Sequence, residues 1–256
     1  MKNHFLIPYS GNKRTEVEQI YNSINDNLDE IEYIIEPFCG TSAFSFYMSK
    51  KHPKRFKYIL NDNNKLLIEL YETAKDDDKL NELIKTLDNL LIDLDKEKYN
   101  SIIKINELPN YIIKQTIYSI RAGLFPLDKK KIRKNYSKLK DVPIINFLKN
   151  EDIKLYNEDS LYIYEMYKDN KKALIFLDPP YLMACNDFYQ DSKVNIYEYL
   201  YNNDINKTDA LILLALEENW IIKLLFSNNK FIIYDKMYQL SKKKTKHLII
   251  TNKNLN

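Results

Sequence analysis

Asp178-Pro179-Pro180-Tyr181 gathers a carboxylate, two prolines and an aromatic ring directly after the apolar run Ala173-Leu174-Ile175-Phe176-Leu177. A short apolar run stopped in this way predicts a buried strand ending at a rigid turn. Proline locks φ at about −65° and has no N–H, so neither Pro179 nor Pro180 can continue a β ladder. Their carbonyls are left to accept hydrogen bonds from another group. Asp178 is expected at the carboxyl end of a strand, where open α/β sheets bind ligands. Tyr181 adds a flat face beside it. Acceptors next to a stacking platform suit a planar group bearing an NH2, as a nucleobase swung out of its stack presents.

Such a constellation needs a sheet to hold it, and the pattern upstream supplies one. Val17, Ile20, Tyr21, Ile24 and Leu28 have helical spacing and predict a helix within residues 16–29. Tyr33-Ile34-Ile35 reads as a strand leading into Glu36-Pro37-Phe38-Cys39-Gly40, after which Thr41 or Ser42 can cap a helix containing Phe44, Tyr47 and Met48. Tyr58-Ile59-Leu60 is a second strand ending at Asn61-Asp62-Asn63, and Leu66, Leu67, Leu70 and Tyr71 mark the next helix. Strand and helix alternating at this spacing predict a doubly wound, mostly parallel α/β sheet.

The character then changes. Leu80, Leu83, Ile84, Leu87, Leu90, Leu91 and Leu94 predict one long amphipathic helix. Another helix follows Pro109, with Tyr111, Ile112, Ile117 and Ile120 in it. Seven of the twelve residues from Lys129 to Lys140 are basic, a stretch open both to a DNA-contact reading and to a solvated basic loop. Residues 76–150 are therefore expected to form a mainly helical insertion, flanked by catalytic-domain segments 1–75 and 151–256. Sheet signals resume at Ile153-Lys154-Leu155-Tyr156. Ile212 to Leu225 reads as helical. Lys230 to Tyr238 and Lys246 to Thr251 read as an antiparallel pair joined by Ser241-Lys242-Lys243-Lys244, a common end to a mixed sheet.

The chain has only three glycines, and two lie where backbone must come close to a ligand. Gly40 sits between strand and helix, where N–H groups and the helix dipole favour a polar or anionic group. Gly11 lies in Pro8-Tyr9-Ser10-Gly11-Asn12-Lys13-Arg14. Asp62 ends the second strand, where an acidic residue accepts ribose hydroxyls in nucleotide-binding folds and also caps helices. Asp159, in Asn157-Glu158-Asp159-Ser160, stands before a helix, where it can serve as a plain cap.

Taken together these segments resemble the Dam-type DNA adenine-N6 methyltransferases, the D-P-P-Y amino-methyltransferases that use S-adenosylmethionine. The resemblance rests on four motifs in the family's order: the Tyr9–Lys13 segment, the Glu36–Phe44 loop, a recognition insertion, and Asp178-Pro179-Pro180-Tyr181. It covers most of the chain and is thinnest in the insertion and beyond residue 182. It implies a Rossmann-like methyltransferase sheet and transfer of a methyl group to N6 of a flipped adenine in double-stranded DNA. Asp178, Pro179, Pro180 and Tyr181 would be catalytic. Tyr9, Gly11, Lys13, Glu36, Phe38, Gly40, Thr41, Asp62, Asp159 and Asp178 would line the S-adenosylmethionine site, with Lys13 reaching the donor's carboxylate or the active-site edge. Ser42 departs from the family's usual second glycine. Arg121, Lys130, Arg133 and Asn135 would meet DNA, in a stretch that echoes the family's arginine-rich hairpin without its glycines. Phe188, Tyr189 and Tyr197 are further candidates to stack on the base, each more readily a core residue among 21 tyrosines. A cognate restriction endonuclease, and a monomeric or homodimeric state, stay open. So do methylation of RNA adenine or cytosine N4, and a catalytically silent DNA-binding or partner protein on the same fold.

Composition bounds these readings. With 45% hydrophobic and 29% charged residues, 256 residues suffice for one sizeable α/β domain with an insertion. A formal charge of +3 means that a local patch, not the whole-molecule field, must attract DNA. Abundant Lys, Asn, Ile and Tyr has the look of an AT-rich genome, so a lysine run is not by itself a binding site. Cys39 and Cys185 stand apart and make no metal-ligand spacing with His4, His52 and His247, which read as structural or surface residues. Cys39 reads as a packing residue of the loop. No metal and a reducing, cytoplasmic setting are expected. No signal-length apolar segment opens the chain, and no apolar run has membrane-spanning length.

Overall fold

The computed structural model describes residues 5–7, 13–119, 128–137, 139–180, 198, 202, 205–237 and 244–253. Two compact units divide the chain, one comprising residues 1–12 and 64–150, the other residues 13–63 and 151–256.

The second unit is built on a seven-stranded sheet among the described residues, in the order β3-β2-β1-β4-β5-β7-β6. The strands are β1 Tyr33–Glu36, β2 Lys57–Asn61, β3 Asp152–Tyr156, β4 Ala173–Leu177, β5 Leu211–Glu217, β6 Lys230–Met237 and β7 Lys244–Thr251. All neighbours from β3 to β5 are parallel, and β7 alone runs against both of its partners. Helices α1 Val17–Asn22, α2 Ala43–Lys51, α9 Ser160–Tyr167 and α10 Trp220–Leu225 belong to this unit. The sheet is the doubly wound α/β arrangement anticipated from the strand–helix alternation, with one antiparallel C-terminal strand, β7, inserted between β5 and β6.

Every residue of β4 is buried, as a central parallel strand covered on both faces must be. One face packs Ile35, Ile59, Ile175, Leu177, Ile212, Leu214, Leu248 and Ile250 with Ile163, Tyr164, Ile222 and Phe226. On the other, Phe44 of α2 stacks on Phe176 of β4 at 4.5 Å between ring centroids. Order reverses between β1 and β4, because β1 leads outward to β2 and β3 while β4 leads to β5. In open sheets that switch point leaves a crevice at the carboxyl ends of the two strands. Gly40 and Asp178 emerge there from adjacent strands, held in step by the pairing of Ile34 with Leu174 and Ile35 with Ile175.

Three expectations are corrected here. Ile212–Leu225 is not one helix: Leu211–Glu217 is β5, and only Trp220–Leu225 is helical. Leu211 to Leu216 is apolar at every position because it is buried on both faces, so it carries no strand periodicity. Asn219 then starts α10 by accepting the N–H of Ile222 on its side chain. The helix anticipated within 16–29 stops at Asn22 and is followed by a separate 3₁₀ turn at Asn25–Asn27. Ser23 Oγ bonds back to the Ile20 carbonyl at 2.7 Å, a local bond that competes with helix continuation. Lys244 belongs to β7, not to the turn before it.

From residue 64 to 150 the described residues of the other unit are helical apart from the connections: α3 Lys65–Ala74, α4 Asp77–Ile92, α5 Lys96–Ile102, α6 Leu108–Ser119, α7 Lys129–Tyr136 and α8 Ile144–Asn150. Leu80, Leu83, Leu87 and Leu91 form the buried stripe of α4, and Asp76 caps it by accepting from the N–H groups of Asp78 and Lys79. Residues 129–136 of the basic stretch form the helix α7, which corrects the loop alternative there. Asp128 caps it, and Ile132 and Tyr136, one turn apart, are its buried side.

Candidate active site

Asp178 follows β4 directly and is 17% exposed, with Pro179 buried behind it. One carboxylate oxygen, Oδ1, accepts a hydrogen bond from Lys13 Nζ at 2.5 Å. Lys13 is only 3% exposed. The fold thus joins two sequence-predicted residues that lie 165 positions apart in the chain. Burial alone would push the Lys13 ammonium down. The negative charge of Asp178, with smaller contributions from Tyr234 and Glu16, outweighs it, and Lys13 titrates above the ordinary lysine range.

The loop after β1 turns sharply. Gly40 takes φ 46° and the next-but-one residue, Ser42, takes φ 52° and ψ 37°, both in the left-handed region. Gly40 adopts this without cost, whereas Ser42 carries a Cβ there. That is the physical reason a second glycine suits this position. Ser42 occupies the N-cap position of α2, yet its side chain makes no capping bond. Thr41 Oγ1 and Ser42 Oγ are buried with no hydrogen-bond partner among the described residues.

Asp62 closes the loop from β2: its Oδ2 accepts the Gly40 N–H at 3.0 Å. Glu36 is 2% exposed, and its Oε1 accepts the Ser45 N–H at 2.9 Å at the start of α2. Burial dominates its titration. Hydrogen bonds from Ser45 oppose the effect, the charge of Asp178 adds to it, and the carboxyl is pushed up to about 8. Glu36 is therefore protonated at neutral pH. Cys39 is buried, and desolvation pushes its thiol well above the ordinary range, which makes it an inert packing residue. Phe38 is partly buried against the apolar cluster below the sheet. Asp159 caps α9, its Oδ1 accepting the Leu161 N–H at 2.7 Å.

Three side chains important to this site were not singled out from sequence. Asn61, wholly buried, donates from Nδ2 to the carbonyls of Pro37 (2.9 Å) and Glu158 (3.1 Å) and accepts the Glu158 N–H at 2.9 Å. It ties the ends of β1, β2 and β3 together. Glu16 and Lys236 form a second buried ion pair, Nζ to Oε2 at 3.2 Å. Lys236 shares the inward face of β6 with buried Tyr234, while Ile233 and Asp235 face out. A lysine on the inward side of an alternating strand was the available signal. His247, opposite Tyr234 in the ladder, is wholly buried. Burial first, then Lys236 and Lys13, drive it down to about 3, so it stays neutral.

Tyr9, Gly11, Arg121 and Tyr181, with Phe188, Tyr189 and Tyr197, lie outside the described residues. Of the other DNA-contact candidates, Lys130 is exposed on α7. Arg133 Nε bonds Asp88 Oδ1 at 2.8 Å, an oxygen shared with the Tyr136 hydroxyl. Asn135 Nδ2 bonds the Lys131 carbonyl within the helix. Among the described residues no cluster of His, Cys, Asp and Glu could hold a metal, and no helix is long and apolar enough to cross a membrane.

Residues 9–125 match the profile of the D12 class N6 adenine-specific DNA methyltransferases. The type II methyltransferase M.MjaIII of Methanocaldococcus jannaschii is 27% identical over 263 residues, covering 91% of this chain and 87% of its own. Among solved structures, the rRNA methyltransferase aviRa of Streptomyces viridochromogenes aligns with a TM-score of 0.41 at 10% identity, over 98% of this chain and 91% of that one.

Proposed function

We infer that this chain, a member of the D12 class N6 adenine-specific DNA methyltransferases, transfers a methyl group from S-adenosylmethionine to N6 of adenine in DNA. The observation that carries the reading is the pairing of Lys13 with Asp178 at the switch point of the sheet, one strand away from the Gly40–Asp62 loop. A proton-accepting carboxylate and a nucleotide-type loop then occupy neighbouring strand ends.

The residues after β1 and β2 suit S-adenosylmethionine. Thr41 and Ser42 keep buried hydroxyls without partners among the described residues, and Gly40 supplies close backbone approach beside the Asp62 carboxylate. Asp62 would accept ribose hydroxyls there. Bound in that loop, the donor supplies an electrophilic methyl group on a sulfonium.

The work of this chain's own residues is on the amine. The exocyclic nitrogen of adenine is a poor nucleophile because its lone pair is delocalised into the ring. Asp178 and the Pro179 carbonyl would accept its two N–H bonds, turning the nitrogen toward tetrahedral geometry and offsetting the positive charge that develops on it. An ionised carboxylate offers about four acceptor sites, so Asp178 can keep its bond to Lys13 and still receive the amine. The base is expected to leave the duplex, with Tyr181 as its stacking face. Lysines 130, 131 and 134 are exposed on α7 and are assigned to DNA phosphates, while Arg133 is free for readout only after leaving Asp88. A cognate restriction endonuclease is the partner to seek.

The test is incubation with S-adenosylmethionine and unmethylated DNA, followed by sequencing that maps N6-methyladenine. Methylation at one short motif, lost in Asp178→Ala while donor binding persists in calorimetry, is expected. Wild-type turnover by Asp178→Ala sinks the mechanism, and absence of donor binding by the wild type sinks the assignment.

A further inference from the structure

Lys13 and Glu16 lie one turn apart at the start of α1, where the Lys13 carbonyl accepts the N–H groups of Glu16 and Val17 at 2.9 Å each. Each side chain reaches a different part of the sheet. Lys13 bonds Asp178 after β4, and Glu16 bonds Lys236 on the inward face of β6. Glu16 is 3% and Lys236 7% exposed, so neither charge is there for solubility. Burying two charges costs several kcal/mol that apolar packing would avoid. A pair kept in that setting, beside a reactive carboxylate, calls for a role.

We propose that the buried Glu16–Lys236 pair is a positioning element of the catalytic centre, clamping the turn that carries Lys13 onto β6 so that the Lys13 ammonium meets Asp178 Oδ1. The polarity of the pair is part of the device. The anion is on the helix, next to Lys13, and the cation is on the strand behind it. Lys13 therefore sits with Asp178 on one side and Glu16 on the other, both favouring its charged form, while burial and then the charge of Lys13 push Lys236 below the ordinary lysine range. A neutral Lys13 would hold the Asp178 carboxylate only by a weaker, uncharged N–H bond, and that carboxylate is what the amine must meet. Among the described residues, Tyr234 faces Lys13, His247 faces Lys236 and Lys13, and Glu36 faces Lys13 and Asp178. Of these, Glu36 is protonated and His247 neutral at pH 7, so that the two ion pairs are the main charges here among the described residues.

This inference rests on the adenine-methyltransferase reading, and two readouts separate them. Glu16→Gln keeps the shape and an acceptor for Lys236. Glu16→Lys combined with Lys236→Glu restores a pair with reversed polarity. Titration of Lys13 is followed by NMR of 13C-labelled lysine in the protein without donor or DNA. Methyl transfer is followed at saturating donor and DNA. Expected results are a downward shift of the Lys13 titration in Glu16→Gln, a moved Lys13 titration in the reversed pair, and a fall in kcat of roughly tenfold to a hundredfold in both variants. KM for donor and DNA should change by no more than about threefold, and the thermal midpoint of the reversed pair should return toward that of the wild type. A reversed pair with wild-type kcat and an unmoved Lys13 titration overturns the proposal and leaves the pair a structural staple. The same holds for Glu16→Gln alone if the reversed pair fails to fold. A wild-type protein that methylates no adenine defeats the functional reading instead, while the Lys13 titration still reports on the clamp.

Discussion

Lys13 Nζ bonds Asp178 Oδ1 although 165 residues separate the two in the chain. The contact makes a carboxylate at the end of a central strand into an oriented acceptor before any substrate arrives. Lys13 is the more buried partner, so the pair is shielded from water on the side away from the strand end.

Removing the ammonium should therefore cost both stability and rate. Lys13→Met leaves Asp178 without its partner, and breaking a buried pair from one side costs about 3–5 kcal/mol, with the lower end expected because Asp178 retains some solvent. Single-turnover methyl transfer is expected to slow by about a hundredfold as the acceptor loses its orientation. Lys13→Arg should recover stability better than rate, since a planar fork does not reproduce a compact ammonium. Urea unfolding and quenched-flow transfer measure the two effects. Unchanged single-turnover rates in Lys13→Met would remove the lysine from the centre.

Ser42 sits at φ 52° and ψ 37°, where a non-glycine residue is strained by about 1 kcal/mol. Ser42→Gly should relieve that strain and raise the thermal midpoint by about 2–4 °C for a chain of this size. Donor affinity should rise as well, because the Cβ that narrows the loop is gone. Thermal unfolding and titration calorimetry check both. A lower midpoint would mean that the buried Ser42 hydroxyl matters more than the backbone strain.

Much of this arrangement was legible in the residues, and the exceptions have physical causes. β1, β2 and β4 announce themselves because each apolar run is stopped by proline or by Asn-Asp. β5 does not, because a strand buried on both faces has lost the alternation that would mark it, and Leu211–Leu216 reads equally as buried helix. α7 was hidden by its lysines, although Ile132 and Tyr136 keep the four-residue spacing of a buried helical side. Asp178 was singled out as the carboxylate at a strand end, and Lys13 through motif resemblance. Glu16, Lys236 and Asn61 were not, since their partners are chosen by which strands become neighbours, and a single sequence does not state strand order.

Glu36 should make stability depend on pH in a definite direction. Its carboxyl titrates at about 8 in the folded protein, against an ordinary 4.5. Between those values the native state holds a proton that the unfolded chain has released, so stability falls as pH rises through the window. The slope from this group alone approaches about 1.4 kcal/mol per pH unit. Its contribution is complete below pH 4.5 and lost as pH passes 8. Glu36→Gln, which is uncharged at every pH, should flatten the profile and be the more stable protein above pH 8. Denaturant midpoints from pH 5 to 9 test it. A wild-type profile no steeper than that of Glu36→Gln would show that the side chain is ionised when buried.

Asn61 offers the cleanest separation of donor binding from chemistry. Its amide joins the Pro37 carbonyl to both backbone groups of Glu158, while its own carbonyl accepts the Cys39 N–H at 2.8 Å. Those contacts hold the loop carrying Gly40 and the residue next to Asp62, not the end of β4. Asn61→Leu leaves two carbonyls and one N–H without this partner in a buried setting, at about 1–3 kcal/mol each before relaxation. A total loss of about 3 kcal/mol or more is expected by chemical denaturation. Asn61→Asp keeps the size but turns the donor into an acceptor facing two carbonyls, so it should fare no better. The Lys13–Asp178 pair does not run through Asn61. The KM for the methyl donor should therefore rise at least about tenfold in either variant, while kcat at saturating donor stays within about threefold of the wild type. A fall in kcat with KM unchanged would mean that the loop clamp acts on the reacting amine and not on the donor.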